Sequence, residues 1–333
     1  MHYGLKATLV AGGMLLSFGG SALAAEGGVG VYLLGSKGPM AGFTPPEGLY
    51  FQDDMYFYTG KIGAGRALPT GGLLTAGISA QNWLNLPTLL WVTPAKVLGG
   101  DLAFSVTTPF GEPRINANLL VNSPRFGPIG RNVTDAEFNM SDIFVNSFVG
   151  WHAGKLHWQL GVAGIIPSGS YVTGQLSNAS LNRPAVDVSG ALTWLDPATG
   201  VDLSAAAGFT FNQPNTATDY KTGNEFHLEW AASKSLNKDI SIGLVGYYYQ
   251  QLTDDTGTGA VLGPFRGRAA ALGGTIGYNF EVGKLPISTR LKVYREFDVQ
   301  NRMEGTAGYL TVSLPIHVGS SSVPSATAIR TKY

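Results

Sequence analysis

Residues Val201–Asn212 read VDLSAAAGFTFN, and this stretch decides the fold class. Apolar residues fill the odd positions from Val201 to Phe211, and small or polar residues such as Ser204 and Thr210 stand between them. Strict alternation is typical of a β-strand with two unlike faces. The stretch is long enough for a tilted strand to cross a bilayer, whereas strands of soluble proteins usually have about five or six residues. Because the polar face is mostly small, we predict that the apolar face meets lipid and the other a lumen.

The same alternation recurs along the chain and predicts twelve strands. They lie near residues 49–58, 86–93, 99–110, 141–152, 155–166, 185–194, 201–212, 224–234, 239–251, 268–281, 287–298 and 306–316. Long connections at 59–85, 111–140, 167–184, 213–223, 252–267 and 299–305 alternate with short ones at 94–98, 153–154, 195–200, 235–238 and 282–286. Outer-membrane barrels have an even strand number, long extracellular loops and short periplasmic turns. We therefore predict an all-β fold, a transmembrane antiparallel outer-membrane β-barrel of about twelve strands.

Two segments leave the strand number open. Residues 71–86 fit a short helix or an extra strand, and residues 114–121 fit a further strand. Ten or fourteen strands therefore remain as alternatives. Asp53 and Asp54 are neighbours within one predicted strand, so one of them must break the alternation of the two faces.

The composition excludes several classes of protein. Lys and Arg together number 22, as do Asp and Glu, so the net charge is zero and does not favour a nucleic-acid-binding protein. A hydrophobic fraction of 44% argues against a disordered chain. The mean hydropathy of +0.09 is too low for a bundle of transmembrane helices. A membrane β-barrel and a large soluble β protein remain.

The first residues have the pattern of a secretory signal peptide. Lys6 precedes an apolar run at Ala7–Phe18, and Ala22-Leu23-Ala24 forms a cleavage site. We predict a signal peptide at 1–24, a periplasmic or plug segment at 25–48, a β-barrel at 49–316 and a C-terminal tail at 317–333. Export and the strand pattern together predict the outer membrane of a Gram-negative bacterium.

Charged and polar residues alternate on two of the predicted strands. Glu225, His227 and Glu229 share one face, and their spacing fits either metal ligands or a polar ladder facing the lumen, which we favour. The other row contains Arg290, Lys292, Tyr294 and Glu296. It is expected to face the lumen, because Arg or Lys on the lipid face costs about 2–4 kcal/mol at the bilayer midplane. Such charges either set the selectivity of a pore or only hold the barrel shape.

Aromatic residues gather near the predicted strand ends. The main interpretation is the interfacial girdle of a membrane barrel. A sharper alternative is that Tyr50, Tyr56, Tyr247 and Tyr249 line a path for aromatic solutes. The histidines are scattered and no G-x-S-x-G motif occurs, so we predict no enzyme, no catalytic residues, no cofactor and no metal site.

Several longer motifs resemble one family of outer-membrane proteins. They are PPEGLYFQDDMYFYTG at Pro45–Gly60, LPTLLWVTP at Leu86–Pro94, VGWHAGKLHW at Val149–Trp158, LTWLDPATGVDLSAAAGFTFN at Leu192–Asn212, ATDYKTGNEFHLEW at Ala217–Trp230, VGYYYQQLTDDTGTGAVLGPFRGR at Val245–Arg268 and REF…NRMEG at Arg295–Gly305. The family is called "putative meta-pathway of phenol degradation", or phenol degradation protein meta. The resemblance implies an outer-membrane channel or transporter for hydrophobic or aromatic compounds. The tail after Ile316 departs from the family pattern.

The predicted function is uptake of small hydrophobic or aromatic, phenol-like compounds through an outer-membrane channel. One alternative is a structural or adhesive barrel without transport, and another is a secreted soluble β protein. The expected partners are outer-membrane lipids, the transported solutes and the barrel assembly machinery, and no nucleic acid.

Overall fold

The computed structural model describes residues 25–67, 73–123, 127–260 and 263–319. The predicted signal peptide and all of the predicted tail beyond residue 319 lie outside these ranges. Among the described residues, no helix has the length and apolar character needed to cross a membrane. The fold is built almost entirely from β-strands, preceded by one short 3-10 turn at Glu26–Gly28.

Fifteen β-strands are present in the described residues. They are β1 Gly48–Ala67, β2 Leu73–Val97, β3 Gly100–Thr107, β4 Phe110–Ser123, β5 Gly127–Ala136, β6 Asn139–Met140, β7 Ile143–Ala153, β8 Leu156–Ile166, β9 Ala185–Asp196, β10 Val201–Asn212, β11 Glu225–Ser235, β12 Ile240–Gln251, β13 Arg268–Val282, β14 Leu285–Gln300 and β15 Glu304–Val318. The last strand ends at Val318, two residues inside the predicted tail.

Twelve of these strands close into one antiparallel ring. The order around the ring is β1, β2, β3 and then β7 to β15, and β15 pairs again with β1. Connections of two to four residues follow β2, β7, β9, β11 and β13. Gly48 pairs with Val318, so the first and last strands meet at the end where these short turns lie. The prediction of an antiparallel barrel of about twelve strands is confirmed.

Three further strands lie where a long loop was predicted. Residues 111–140 contain most of β4 and all of β5 and β6, and the predicted loop 59–85 is largely made of the ends of β1 and β2, so both loop predictions are wrong. Residues 71–86, ambiguous between helix and strand, belong from Leu73 onwards to β2. This half of β2 pairs with β1 on one side and β4 on the other. Residues 114–121, which fit a further strand in the sequence, lie within β4. Pairing on both sides satisfies the backbone groups of this half of β2 whatever its side-chain pattern, so the segment forms a strand although its alternation is weak.

The two faces of the ring differ as lipid and lumen require. Large apolar side chains on the outer face remain about half exposed, among them Leu160, Leu203, Leu244 and Leu272. Residues that alternate with them, such as Ser204, are buried inside the ring. An apolar outer band with a polar interior is the pattern of transmembrane barrels.

Asp53 interrupts this pattern on β1. The neighbouring Asp54 faces the lumen, where it accepts hydrogen bonds from Thr311 Oγ1 and from Gln52 Nε2. Asp53 therefore lies on the outer face, in register with Pro87 of β2. Asp53 is thus the member of the pair that breaks the alternation.

Candidate functional site

The segment before the first strand runs lengthwise through the lumen, and we call residues 25–47 the plug. At one end the backbone N–H of Ala25 donates to Asp255, which lies in the long connection between β12 and β13. Towards the short-turn end, the N–H of Gly42 donates to Thr193 Oγ1 of β9 at 2.9 Å. The plug then continues into β1. It therefore contacts inward-facing residues from one end of the barrel to the other.

Two oppositely charged side chains hold the centre of the plug by its main chain. The Glu229 carboxylate accepts the N–H of Gly35 at 3.1 Å and the N–H of Lys37 at 2.8 Å. From β14, three strands round the ring, Lys292 Nζ donates to the carbonyls of Gly35 and Ser36, both at 2.6 Å, and of Lys37 at 3.1 Å. Hydrogen bonds to a charged group contribute about 1.5–3 kcal/mol each. We call Glu229 and Lys292 the clamp.

Gly35 is required at the clamp by conformation and by space. Its φ of +87° lies in the region that favours glycine. A Cβ at this position would stand 2.9 Å from the Tyr294 ring and 3.0 Å from the Tyr309 ring. The hydroxyl of Tyr309 also donates to the carbonyl of Leu34 at 2.6 Å. Aromatic rings and the clamp thus enclose one turn of the plug.

A stacked aromatic pair includes His227, which lies on the same strand, β11, as Glu229. The ring of Tyr32 in the plug stacks on His227, with the centroids 3.5 Å apart and the planes at 14°. His227 Nε2 lies 2.8 Å from Asp187 Oδ2, and Thr210 Oγ1 donates to the same oxygen at 2.6 Å. Asp187 therefore fixes the orientation of the ring on which Tyr32 rests.

Two buried carboxylates organise the tyrosines of the wall. Tyr249 Oη donates to Glu225 Oε1 at 2.6 Å. Tyr247 and Tyr58 each donate to a different oxygen of Glu296 at 2.9 Å. A buried tyrosine hydroxyl needs a partner, and these acceptors let the rings present apolar faces to the lumen.

The short-turn end of the plug is held by polar side chains and an aromatic contact. The N–H of Met40 donates to Asp202 Oδ2 at 2.9 Å and interacts with Ser204 Oγ at 3.0 Å. Phe43 packs edge-on to His157, with the ring centroids 5.0 Å apart. The plug is thus fixed along its whole length, largely through its backbone.

The plug leaves a narrow space that is partly open to solvent. It lies between the plug and the wall made by β7 to β11. Small and polar side chains dominate its lining, which consists of Tyr32, Lys37, Asn146, Phe148, Gln159, Gly161, Ser189, Gly190, Ala191, Ala206 and His227. The stacked Tyr32–His227 pair forms its aromatic side.

A family model identifies the chain. The family described as "Putative MetA-pathway of phenol degradation" matches residues 64–312, more than half of the 333 residues. The chain belongs to this family. The match covers the ring from the end of β1 to the last strand, so it extends over the walls that hold the plug. The resemblance predicted from the sequence motifs is confirmed.

The fold of this member of the phenol-degradation family can be compared with solved structures of other proteins. It resembles the COG4313 outer membrane channel from Pseudomonas putida F1, with 14% identity, a TM-score of 0.59, and coverage of 83% of this chain and 98% of that chain. This likeness shows a shared fold. A loop-deletion mutant of OmpT from Vibrio cholerae (6% identity, TM-score 0.34, coverage 80% and 98%) and the CymD monoaromatic hydrocarbon channel (9%, 0.34, 82% and 90%) are too dissimilar to carry an argument. No curated protein sequence matches the chain.

The predicted lumen residues of this family member can be located in the structure. Most are buried and contact the plug or the side chains that support it, namely Glu225, His227, Glu229, Lys292, Tyr294, Glu296, Tyr56, Tyr247 and Tyr249. Arg290 is half-buried and donates to Thr275 Oγ1 at 3.2 Å and Ser241 Oγ at 3.3 Å. Tyr50 lies at the short-turn end and donates to the carbonyl of Pro46 at 2.7 Å.

The spacing that fitted metal ligands does not bring three ligands together. Glu225 binds a tyrosine, His227 faces Asp187, and Glu229 holds the plug. Over the ranges that the structure describes, no group of three or more metal-ligating side chains converges.

Sequence reasoning missed several buried polar residues as members of the site: Arg183, Asp187, Asp202, Asn212 and Asp255. Three of them occupy predicted strands, and Asp202 and Asn212 stand at even positions of β10, on its polar face. The signal that could have found them is a carboxylate or amide on a face otherwise filled by Gly, Ala, Ser and Thr. Arg183, Asp202 and Asp255 bind the main chain of the plug, which has no periodicity that would point to it. Asp187 and Asn212 bind other residues of the wall.

We expect the clamp and Arg290 to act differently on ion flow. Lys292→Met should raise single-channel conductance, because three carbonyls lose their donor and the plug loosens. Arg290→Gln should shift ion preference towards cations, because its guanidinium faces the lumen without binding the plug. The measurement is conductance and reversal potential in a planar bilayer under a salt gradient.

Lys238→Met is the matched control, since Lys238 is exposed in the turn between β11 and β12. It should leave both quantities unchanged. Folded Lys292 and Arg290 variants that match the wild type in both measurements would mean that these cations only hold the barrel shape.

Proposed function

We propose that this protein is an outer-membrane channel for the uptake of small hydrophobic or aromatic, phenol-like compounds. The observation that carries the proposal is the occupied lumen, in which a plug held by its backbone leaves a space beside an aromatic pair. Membership of the phenol-degradation family and the lipid-facing outer band support the same conclusion. An outer-membrane location after cleavage of the signal peptide forms part of the proposal.

The lining of the space favours solutes of this class. Gly161, Gly190 and Ala206 leave room for an apolar body, and the Tyr32–His227 pair offers aromatic contact. Neighbouring polar groups such as Asn146 and Gln159 can bind a single hydroxyl.

Uptake measured on a panel of solutes tests the proposal. A strain without the gene and the same strain carrying the wild-type gene are given phenols, alkanes and a hydrophilic sugar, and the initial uptake of each is compared. We expect the gene to raise uptake of phenols or alkanes and to leave sugar uptake unchanged. Equal uptake of every solute by both strains would favour the structural or adhesive barrel.

The variant Ala206→Phe links uptake to the space itself. Ala206 is buried against the space on β10, and a phenyl ring there would fill much of it. We expect this variant to lose most of the gain in uptake. Ala205→Phe, one residue along and on the outer face of the same strand, is the matched control and should retain it.

A further inference from the structure

The first described residue of the plug lies in a built polar site. Ala25 is 1% exposed, and its backbone nitrogen lies 2.9 Å from Asp255 Oδ2. Asp255 is 3% exposed and accepts three further hydrogen bonds, from Tyr220 Oη at 2.6 Å, Gln251 Nε2 at 2.7 Å and the N–H of Gly223 at 3.0 Å. None of these three donors carries a positive charge. A buried carboxylate is costly unless a cation compensates it.

The backbone of Ala25 has a conformation that is unfavourable inside a chain. Its φ is 61° and its ψ is 150°, a combination found essentially only in glycine. The torsion φ requires a preceding carbonyl carbon. If Ala25 is the first residue of the mature chain, that carbon is absent and the restriction disappears.

The next residue is also bound, so the anchoring extends beyond one contact. Glu26 accepts hydrogen bonds from Asn215 Nδ2 at 3.0 Å and from Thr218 Oγ1 at 2.7 Å. The Arg183 guanidinium lies 3.8 Å from the Glu26 carboxylate and donates to the carbonyl of Val29 at 2.8 Å. Neighbouring residues thus fix the direction in which Ala25 approaches Asp255.

Two connections build this site and are tied to each other. Lys221 and Thr256 exchange backbone hydrogen bonds of 2.8 and 3.0 Å. Thr258 donates through its hydroxyl and its N–H to the Asp219 carboxyl, and these bonds lower the pKa of Asp219. Burial and the bond to Asp255 raise the pKa of Tyr220, so its hydroxyl stays protonated and remains a donor. The site is therefore formed by loops that support each other.

We propose that Asp255 forms a binding site for an α-ammonium group, and that its ligand is the amino terminus of the mature chain at Ala25. The site therefore fastens the outer end of the plug only after the signal peptide has been removed. The inference does not depend on which solute the channel carries.

The chemistry that produces the ligand is hydrolysis of the Ala24–Ala25 amide by a signal peptidase. Water supplies a hydroxyl to the Ala24 carbonyl, leaving a carboxyl group on the released peptide. The Ala25 nitrogen gains a hydrogen and becomes an amine. With an ordinary pKa of about 7.7–8.0, that amine takes up a further proton at neutral pH. A neutral amide donor next to Asp255 is thereby replaced by a cation.

Labelling of the terminal amine tests the proposal on the full mature protein. Intact mass and N-terminal sequencing should first show that the chain begins at Ala25. An aldehyde reagent selective for α-amines is then applied to the folded protein in detergent, and the labelling rate is measured. Hydrogen bonds to charged groups are strong enough that we expect Asp255→Asn to be labelled at least about tenfold faster than the wild type.

Asp254→Asn is the matched control. Asp254 is adjacent in sequence but exposed, and it pairs with Arg266 at 2.6 Å. This variant should be labelled at the wild-type rate. Heat-modifiable migration on a detergent gel confirms that each variant is folded.

A second variant separates the ammonium from the carboxylate. One alanine inserted before Ala25 moves the terminal charge away while Asp255 remains intact. We expect it to be labelled as fast as Asp255→Asn, and it keeps the test valid if that variant does not fold. A mature chain that begins elsewhere, or equal labelling of wild type and the extended chain, would overturn the proposal. Neither readout depends on solute uptake, so the proposed function stands or fails separately.

Discussion

A variant that lacks residues 27–43 is expected to carry several times the single-channel current of the wild type. These residues fill the lumen, and their removal leaves the clamp residues Glu229 and Lys292 facing an open passage. Water can then hydrate both charges, so they are not left buried and unpaired. The ring of strands closes through its own inter-strand hydrogen bonds and does not need the plug. Current in a planar bilayer at symmetrical salt is the measurement.

The point variant Gly35→Ala is a milder form of the same experiment. Its added Cβ would meet the Tyr294 and Tyr309 rings, and its φ of +87° suits glycine. We expect an intermediate current with frequent transitions between levels. Ala substitution of Gly154, which also has a positive φ but lies in a turn with no atom near its Cβ position, controls for backbone strain alone.

A folded deletion variant with wild-type current would show that the lumen is closed somewhere other than at the plug.

Leu160→Arg is expected to impair insertion of the barrel severely. Leu160 lies in the middle of β8 on the outer face, where its side chain is 61% exposed. An arginine on the lipid face costs about 2–4 kcal/mol near the midplane. The fraction of heat-modifiable, membrane-inserted protein measures the effect, and we expect it to fall well below that of the wild type.

Leu236→Arg supplies the matched control for this substitution. Leu236 is 57% exposed, nearly as much as Leu160, but it lies in the turn between β11 and β12. The same change in charge and volume there should be tolerated, because the penalty falls towards the interface. Equal insertion of the two variants would mean that the outer band does not contact lipid.

The ring could be predicted from the sequence because its signal is local. Alternation along a strand such as β10 indicates which side chains face lipid, and the length of each connection indicates at which end of the barrel it lies. Of the strands β4 to β6, only β4 left a sequence signal, at residues 114–121, and β5 and β6 could not be predicted in the same way. These strands continue the sheet from β2 beyond the ring and are held by backbone hydrogen bonds to neighbouring strands. Their side chains therefore need not alternate between unlike environments.

The faces of the charged residues could also be predicted, but not their partners. Alternation places Glu229 and Lys292 inside the barrel but does not decide between a role in selectivity and a role in holding the barrel shape. The structure brings both residues to the main chain of Gly35 and Lys37, which are 192 to 257 positions away in sequence. Backbone N–H and C=O groups are the same at nearly every residue, so a contact to them leaves no sequence motif.

A clamp that holds main-chain atoms is indifferent to the side chains of the segment it holds. Ser36 and Lys37 are fixed by their carbonyls, while their own side chains are only half-buried. The chemical lining of the passage can therefore be altered at these positions without weakening the attachment of the segment. If the protein transports solutes as proposed, its solute preference and the attachment of the plug are separable, and a small library at Ser36 and Lys37 should vary the first while the second stays constant.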